Sequence, residues 1–77
     1  MRQAELILAG LGGSANVVEI EPCITRLRTA VQDVSLIDES ALNRAGAHGV
    51  LTAGSVVQVV VGPEANLVAS EIETMLG

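Results

Sequence analysis

The 77-residue sequence contains no Phe, Trp or Tyr, no Lys, one Cys and one His. Without aromatic rings it cannot build the stacking platforms that read single-stranded nucleic acid, nor an aromatic cage for a sugar or a cation. One cysteine excludes an internal disulfide and any thiolate-rich zinc or iron–sulfur centre. With a single His as well, no structural zinc site of the usual ligand count can form, so no metal and no cofactor is expected. Basic charge is scarce: four Arg against nine acidic residues give a net charge of -5, the wrong sign for a nucleic-acid partner. Long apolar runs are missing too. The longest fall far short of the ~20 residues that a membrane span requires, and an early Glu5 with only a brief apolar run suits a short helix better than a signal peptide. A reducing, cytoplasmic setting is the expectation.

What is present is aliphatic. Hydrophobic residues make up 49% and charged residues 17%, which is a folding composition rather than a disordered one. The length fits one domain over residues 1–77, with a thin core because so short a chain buries only about 60% of its unfolded surface.

Periodicity divides the chain into short elements. Ala4, Ile7, Leu8 and Leu11 recur at helical spacing from Arg2 to Leu11, and Gly12-Gly13 stops that helix. Asn16 to Glu21 alternates, with Val18 and Ile20 on one side and Glu19 and Glu21 on the other. After Pro22-Cys23 a second alternation puts Thr25, Leu27, Thr29 and Val31 on one face and Ile24, Arg26, Arg28 and Ala30 on the other. The two read as an antiparallel hairpin with Pro22-Cys23 near its tip. A loop follows, with Ser35 and Asp38 as candidate N-caps of a short helix through Arg44, and Gly46 follows as its stop. The β-branched runs 50–53 and 56–61 flank Gly54-Ser55 as a second hairpin. Gly62-Pro63-Glu64 opens a last helix whose buried candidates are Leu67, Ile72, Met75 and Leu76. The order α-β-β-α-β-β-α predicts an α+β, two-layer sandwich: a four-stranded, largely antiparallel sheet with three helices on one face.

The chemistry gathers around Cys23. A lone cysteine is usually a small buried hydrophobe, but at a turn beside Pro22 it is reached by solvent, and two nearby permanent cations favour the nucleophilic thiolate. Arg26 and Arg28 emerge on one strand face roughly 7 Å apart, each with planar donors matched to phosphate oxygens. Strand parity alone puts Cys23 on the face opposite the arginines, so this constellation requires Cys23 to sit in the turn rather than in the regular strand. A plainer reading competes. If the hairpin turns about Cys23-Ile24, Glu21 faces Arg26 and Glu19 faces Arg28, as surface ion pairs each worth under ~1 kcal/mol.

The run Glu-Pro-Cys-Ile-Thr-Arg-Leu-Arg, residues 21–28, resembles the active-site segment of enzyme IIB of the bacterial sugar phosphotransferase system, in the glucose and N-acetylglucosamine group. Its pattern there is Asp-Ala-Cys-Ile/Thr-Thr-Arg-Leu-Arg. The likeness continues through Asp33-Val34-Ser35, the helix from Asp38 to Gly46, Gly49-Val50, and Val57-Gln58-Val59 to Gly62, and so spans nearly the whole chain. The resemblance implies a relay. Cys23 accepts a phosphoryl group from a phosphohistidine on a IIA protein, and the phosphocysteine passes it to a sugar bound by a membrane-embedded IIC transporter. It implies an enzyme, a phosphotransferase component, working as a monomer at the inner face of the plasma membrane through IIC. With neither IIA nor transporter fused to it, the chain is expected to meet both transiently. Arg26 and a small nest of the Ile24 and Thr25 N–H groups would hold the phosphoryl group, Arg28 would help its transfer to sugar, and the Thr25 hydroxyl would assist. The loop from Gly54 to Gln58 is expected near the site.

Pro22, Val56 and Val61 depart from the family's usual residues. Arg without Lys, with many Ala and Val, hints at a GC-rich genome and leans toward N-acetylglucosamine over glucose. His48 is expected to be a solvated loop residue rather than half of a Cys–His dyad. A redox-sensing thiol protein and a small regulatory interaction module remain the other classes. The first lacks a resolving cysteine within the chain, and the second would leave Cys23 idle.

Overall fold

Two hairpins with two-residue turns build the sheet, as a computed structural model of the chain, describing residues 2–76, shows. The elements run α1 (Arg2–Gly10), β1 (Val17–Cys23), β2 (Arg26–Val31), α2 (Glu39–Arg44), β3 (Gly49–Ala53), β4 (Val56–Val60) and α3 (Ala65–Leu76). Short 3-10 turns at Ser14–Asn16 and Val34–Leu36 lie between them. The strand order is β1-β2-β4-β3 and each neighbouring pair is antiparallel.

Leu27, Thr29 and Val31 of β2 and Val57 and Val59 of β4 alternate into the core. There they meet Ala4, Ile7 and Leu8 of α1, Leu42 of α2, and Ala65, Val68, Ala69 and Ile72 of α3. The helices cover one face of the sheet and leave the other open, which is the α+β sandwich expected from the order of elements. With no aromatic side chain, this thin core gains its energy from many small aliphatic contacts.

A polar group of β2 sits among them. Thr29 is buried and its hydroxyl donates to the Val57 carbonyl at 2.8 Å. Thr29→Val keeps the shape and removes that bond, so it is expected to cost about 1 kcal/mol. For a domain of this size that lowers the thermal midpoint by about 4–8 °C; an unchanged midpoint in calorimetry would show the hydroxyl to be idle.

The structure corrects three local expectations. Val18 is exposed, not inward, because the β1–β2 register shifts between Val17 and Glu19. That bulge places Val17 and Ile20 in the core at a spacing of three, where simple alternation would have chosen Val18. Leu67 is exposed because the buried stripe of α3 runs through positions 65, 68, 69 and 72. Of the two candidate caps, Asp38 caps α2 by accepting the Ala41 N–H. Ser35 instead gives its N–H and hydroxyl to Asp33, and these bonds hold the Asp33 carboxyl below its usual range.

A buried asparagine joins the loops. Asn16 donates to the carbonyls of Leu11 and Asp33 and accepts the Asp33 N–H, fastening the end of α1 to the segment after β2. Gly12 has a φ of 99°, and a Cβ there would lie 2.6 Å from the Asn16 amide nitrogen. Only glycine fits beside this clasp.

Candidate active site

The first hairpin turns about Ile24-Thr25, one residue later than the symmetric turn about Cys23-Ile24 would have it, with Cys23 opposite Arg26 and Glu21 opposite Arg28. This shift settles the parity question. Cys23 is the last residue of β1, not part of the turn, and the reversal of the chain brings it onto the same open face as both arginines. Directly opposed side chains have Cβ atoms roughly 5 Å apart. The sulfur is a free, exposed thiol.

The shift also re-pairs the charges. Glu21 faces Arg28, with Oε1 to Nη1 at 3.6 Å, while Glu19 faces Ala30. Arg26 therefore has no carboxylate across the ladder; its Nη1 donates to Oε1 of Gln58 on β4 at 3.1 Å. Gln58 is the one polar side chain of β4 and lies opposite Arg28. A lone amide on the open face of a valine strand is the sequence signal that marks it.

The turn is strained. Ile24 has a φ of 57°, and the equivalent first residue of the second turn, Gly54, has a φ of 61°. Glycine takes this conformation freely; a β-branched residue does not. What holds Ile24 there is the next residue, whose Thr25 carbonyl accepts both the Val61 N–H at 3.0 Å and the Gly62 N–H at 2.9 Å. Ile24 is 87% exposed, so truncating it forfeits little packing. Ile24→Gly is accordingly expected to raise stability by about 0.5–1 kcal/mol, the relieved strain less the entropy that glycine loses on folding. A thermal midpoint at or below that of the parent would contradict the strain.

Not every residue expected near the site is there. Gly54 lies at the far end of the sheet, since Ala53 and Val56 pair beside Ala30 while Cys23 pairs beside Arg26. Of the 54–58 stretch, Gln58 is the residue that reaches an arginine. His48 is exposed in the segment before β3, with Nε2 3.8 Å from where a Gly62 Cβ would stand.

The fold and this face together define a small α+β domain presenting an exposed thiol and two guanidinium groups on an open sheet surface, an arrangement chemically able to receive an anion. The model of the phosphotransferase system EIIB family matches residues 5–38. The chain is 57% identical to the N-acetylglucosamine-specific EIIB component of Streptomyces coelicolor, over 96% of each. It is 46% identical to an N-acetylglucosamine-specific EIICB component of Bacillus subtilis, over 87% of this chain and 15% of that one. An alpha-glucoside-specific EIICB component of Leptotrichia buccalis is 41% identical over 97% of this chain and 14% of its own length. In fold it is similar to one domain of a PTS IIabc component from Clostridium difficile, with a TM-score of 0.82 at 22% identity, covering 99% of this chain and 80% of that one. The chain belongs to the phosphotransferase system EIIB family.

Proposed function

We propose that this EIIB chain carries a phosphoryl group on Cys23, taking it from a phosphohistidine of a IIA protein and giving it to N-acetylglucosamine held by a IIC transporter. The observation that carries the reading is the exposed Cys23 thiol facing Arg26 across the hairpin. In the first step the Cys23 thiolate attacks phosphorus, an S–P bond forms, the P–N bond breaks, and the imidazole leaves. In the second a sugar hydroxyl oxygen attacks phosphorus, the hydroxyl proton goes to a base, and the thiolate departs with the S–P electron pair. Sulfur suits both steps, as a nucleophile at neutral pH and as a willing leaving group.

Phosphoryl transfer spreads charge over three equatorial oxygens, so positioned cations supply most of the rate. Arg26 is assigned to hold the phosphoryl group together with the Ile24 and Thr25 N–H groups. Ile24 has a positive φ and Thr25 does not, an alternation that suits an anion-binding nest. The Thr25 hydroxyl adds a further donor. Arg28 is assigned to the second step, since the dianion can draw it from Glu21. Donor docking falls on the open face around Ile24, Arg26, Arg28 and Ala30, whose charge suits an acidic rim on IIA.

N-acetylglucosamine is chosen over glucose because two of the relatives carry it in their names. Two of them are also EIICB components, which supports IIC as the acceptor's holder. Among the described residues no helix is long and apolar enough to cross a membrane, so membrane association is assigned to IIC. The test is reconstitution with phosphoenolpyruvate, the general phosphotransferase proteins and IIA. A mass gain of one phosphoryl group, lost again when IIC membranes and N-acetylglucosamine are added, is expected. No gain, or a gain that the sugar does not discharge, would overturn the reading.

A further inference from the structure

We infer that Gln58 is a positioning residue for Arg26, and that it holds this arginine while leaving its charge whole. The inference rests on the carrier reading of Cys23. An exposed arginine is a long side chain with many rotamers, and a cation that wanders contributes little to a fixed anion. Gln58 removes that freedom. Its backbone lies in β4, hydrogen-bonded between β2 and β3, and its Oε1 accepts from Arg26 Nη1 at 3.1 Å. The acceptor is a neutral amide, so the guanidinium keeps its full charge and its other N–H donors stay available for a phosphoryl group opposite on Cys23.

Arg28 is treated differently. Its Nη1 stands 3.6 Å from the Glu21 carboxylate, and Gln58 lies opposite it across the ladder. One cation is thus ready when the phosphoryl group arrives, and the other is partly neutralised until the group draws it away. A glutamate in place of Gln58 would keep the acceptor and cancel the charge, which is why the amide matters.

A double-mutant cycle tests this through coupling, which a merely structural Gln58 would not show. Gln58→Ala is expected to slow phosphoryl transfer from loaded Cys23 to sugar about tenfold while KM for IIA stays within twofold. In an Arg26→Ala background the same change is expected to have no further effect, whereas in an Arg28→Ala background the full tenfold loss persists. Gln58→Glu is expected to be at least as slow as Gln58→Ala, because its carboxylate opposes the phosphoryl dianion. Additive losses with Arg26→Ala, or wild-type rates for Gln58→Glu, would overturn the assignment. Nitrogen-15 relaxation of the Arg26 Nε–H supplies a readout independent of transfer. Its order parameter is expected to fall in Gln58→Ala, and an unchanged value would equally reject the tether. Failure of the carrier reading has a separate signature, wild-type protein that gains no phosphoryl group while the relaxation result stands.

Discussion

Cys23→Ser is expected to abolish the sugar-directed relay while leaving the fold intact. The two side chains differ by one atom, and the thiol is exposed on the open face, so unfolding should move by no more than about 0.5 kcal/mol. The chemistry changes far more. A thiol is a few per cent ionised at neutral pH and intrinsically nucleophilic, whereas a hydroxyl has essentially no anion to offer and is a poor leaving group once phosphorylated. The loss should exceed about a thousandfold, measured as sugar phosphate formed by IIC membranes in the presence of IIA. A serine variant with native turnover would remove the sulfur from the account, whatever the native fold of that variant.

Arg26→Ala is the second large effect. Removing one preorganised donor from a charge-developing transition state costs about 10²–10³ in rate. Arg26 is the guanidinium that faces Cys23 and is held by the neutral Gln58 amide, so the full penalty should appear. Its exposed side chain supports little packing, and the thermal midpoint should stay near that of the parent. Single-turnover discharge of loaded protein to sugar is the measurement. Rates within threefold of the parent would show that Arg26 is only a surface charge.

Much of this architecture was legible because the aliphatic pattern is simple. Leu27, Thr29 and Val31 against Arg26 and Arg28 could be read as two faces of one strand, and Ala4, Ile7 and Leu8 as one face of a helix. The inward choice of Val17 over Val18 was not legible, because a bulge changes the count by one residue without changing composition. The same single-residue sensitivity governed the site. The Cys23, Arg26 and Arg28 constellation was visible, but the turn could centre on Cys23-Ile24 or on Ile24-Thr25. Nothing local favours an isoleucine at positive φ. The two hydrogen bonds that the Thr25 carbonyl accepts from the Val61 and Gly62 N–H groups, residues more than thirty positions away, over-determine it. The clasp made by Asn16 was hidden for the same reason, since its partners come from two separate loops. Leu67 was mistaken for a core residue on hydrophobicity alone, although the spacing of Ala65, Val68, Ala69 and Ile72 leaves it off the stripe.

Where the phosphoryl group resides after loading through IIA is the decisive quantity. Phosphorus-31 NMR of the loaded protein, with tandem mass spectrometry of the peptide spanning 17–28, reads it directly. The expected result is one S–P resonance and one modified residue, Cys23, both absent after prior alkylation of the thiol. A phosphoryl group found on the exposed His48 instead, with Cys23 still open to alkylation in the loaded protein, would contradict the account.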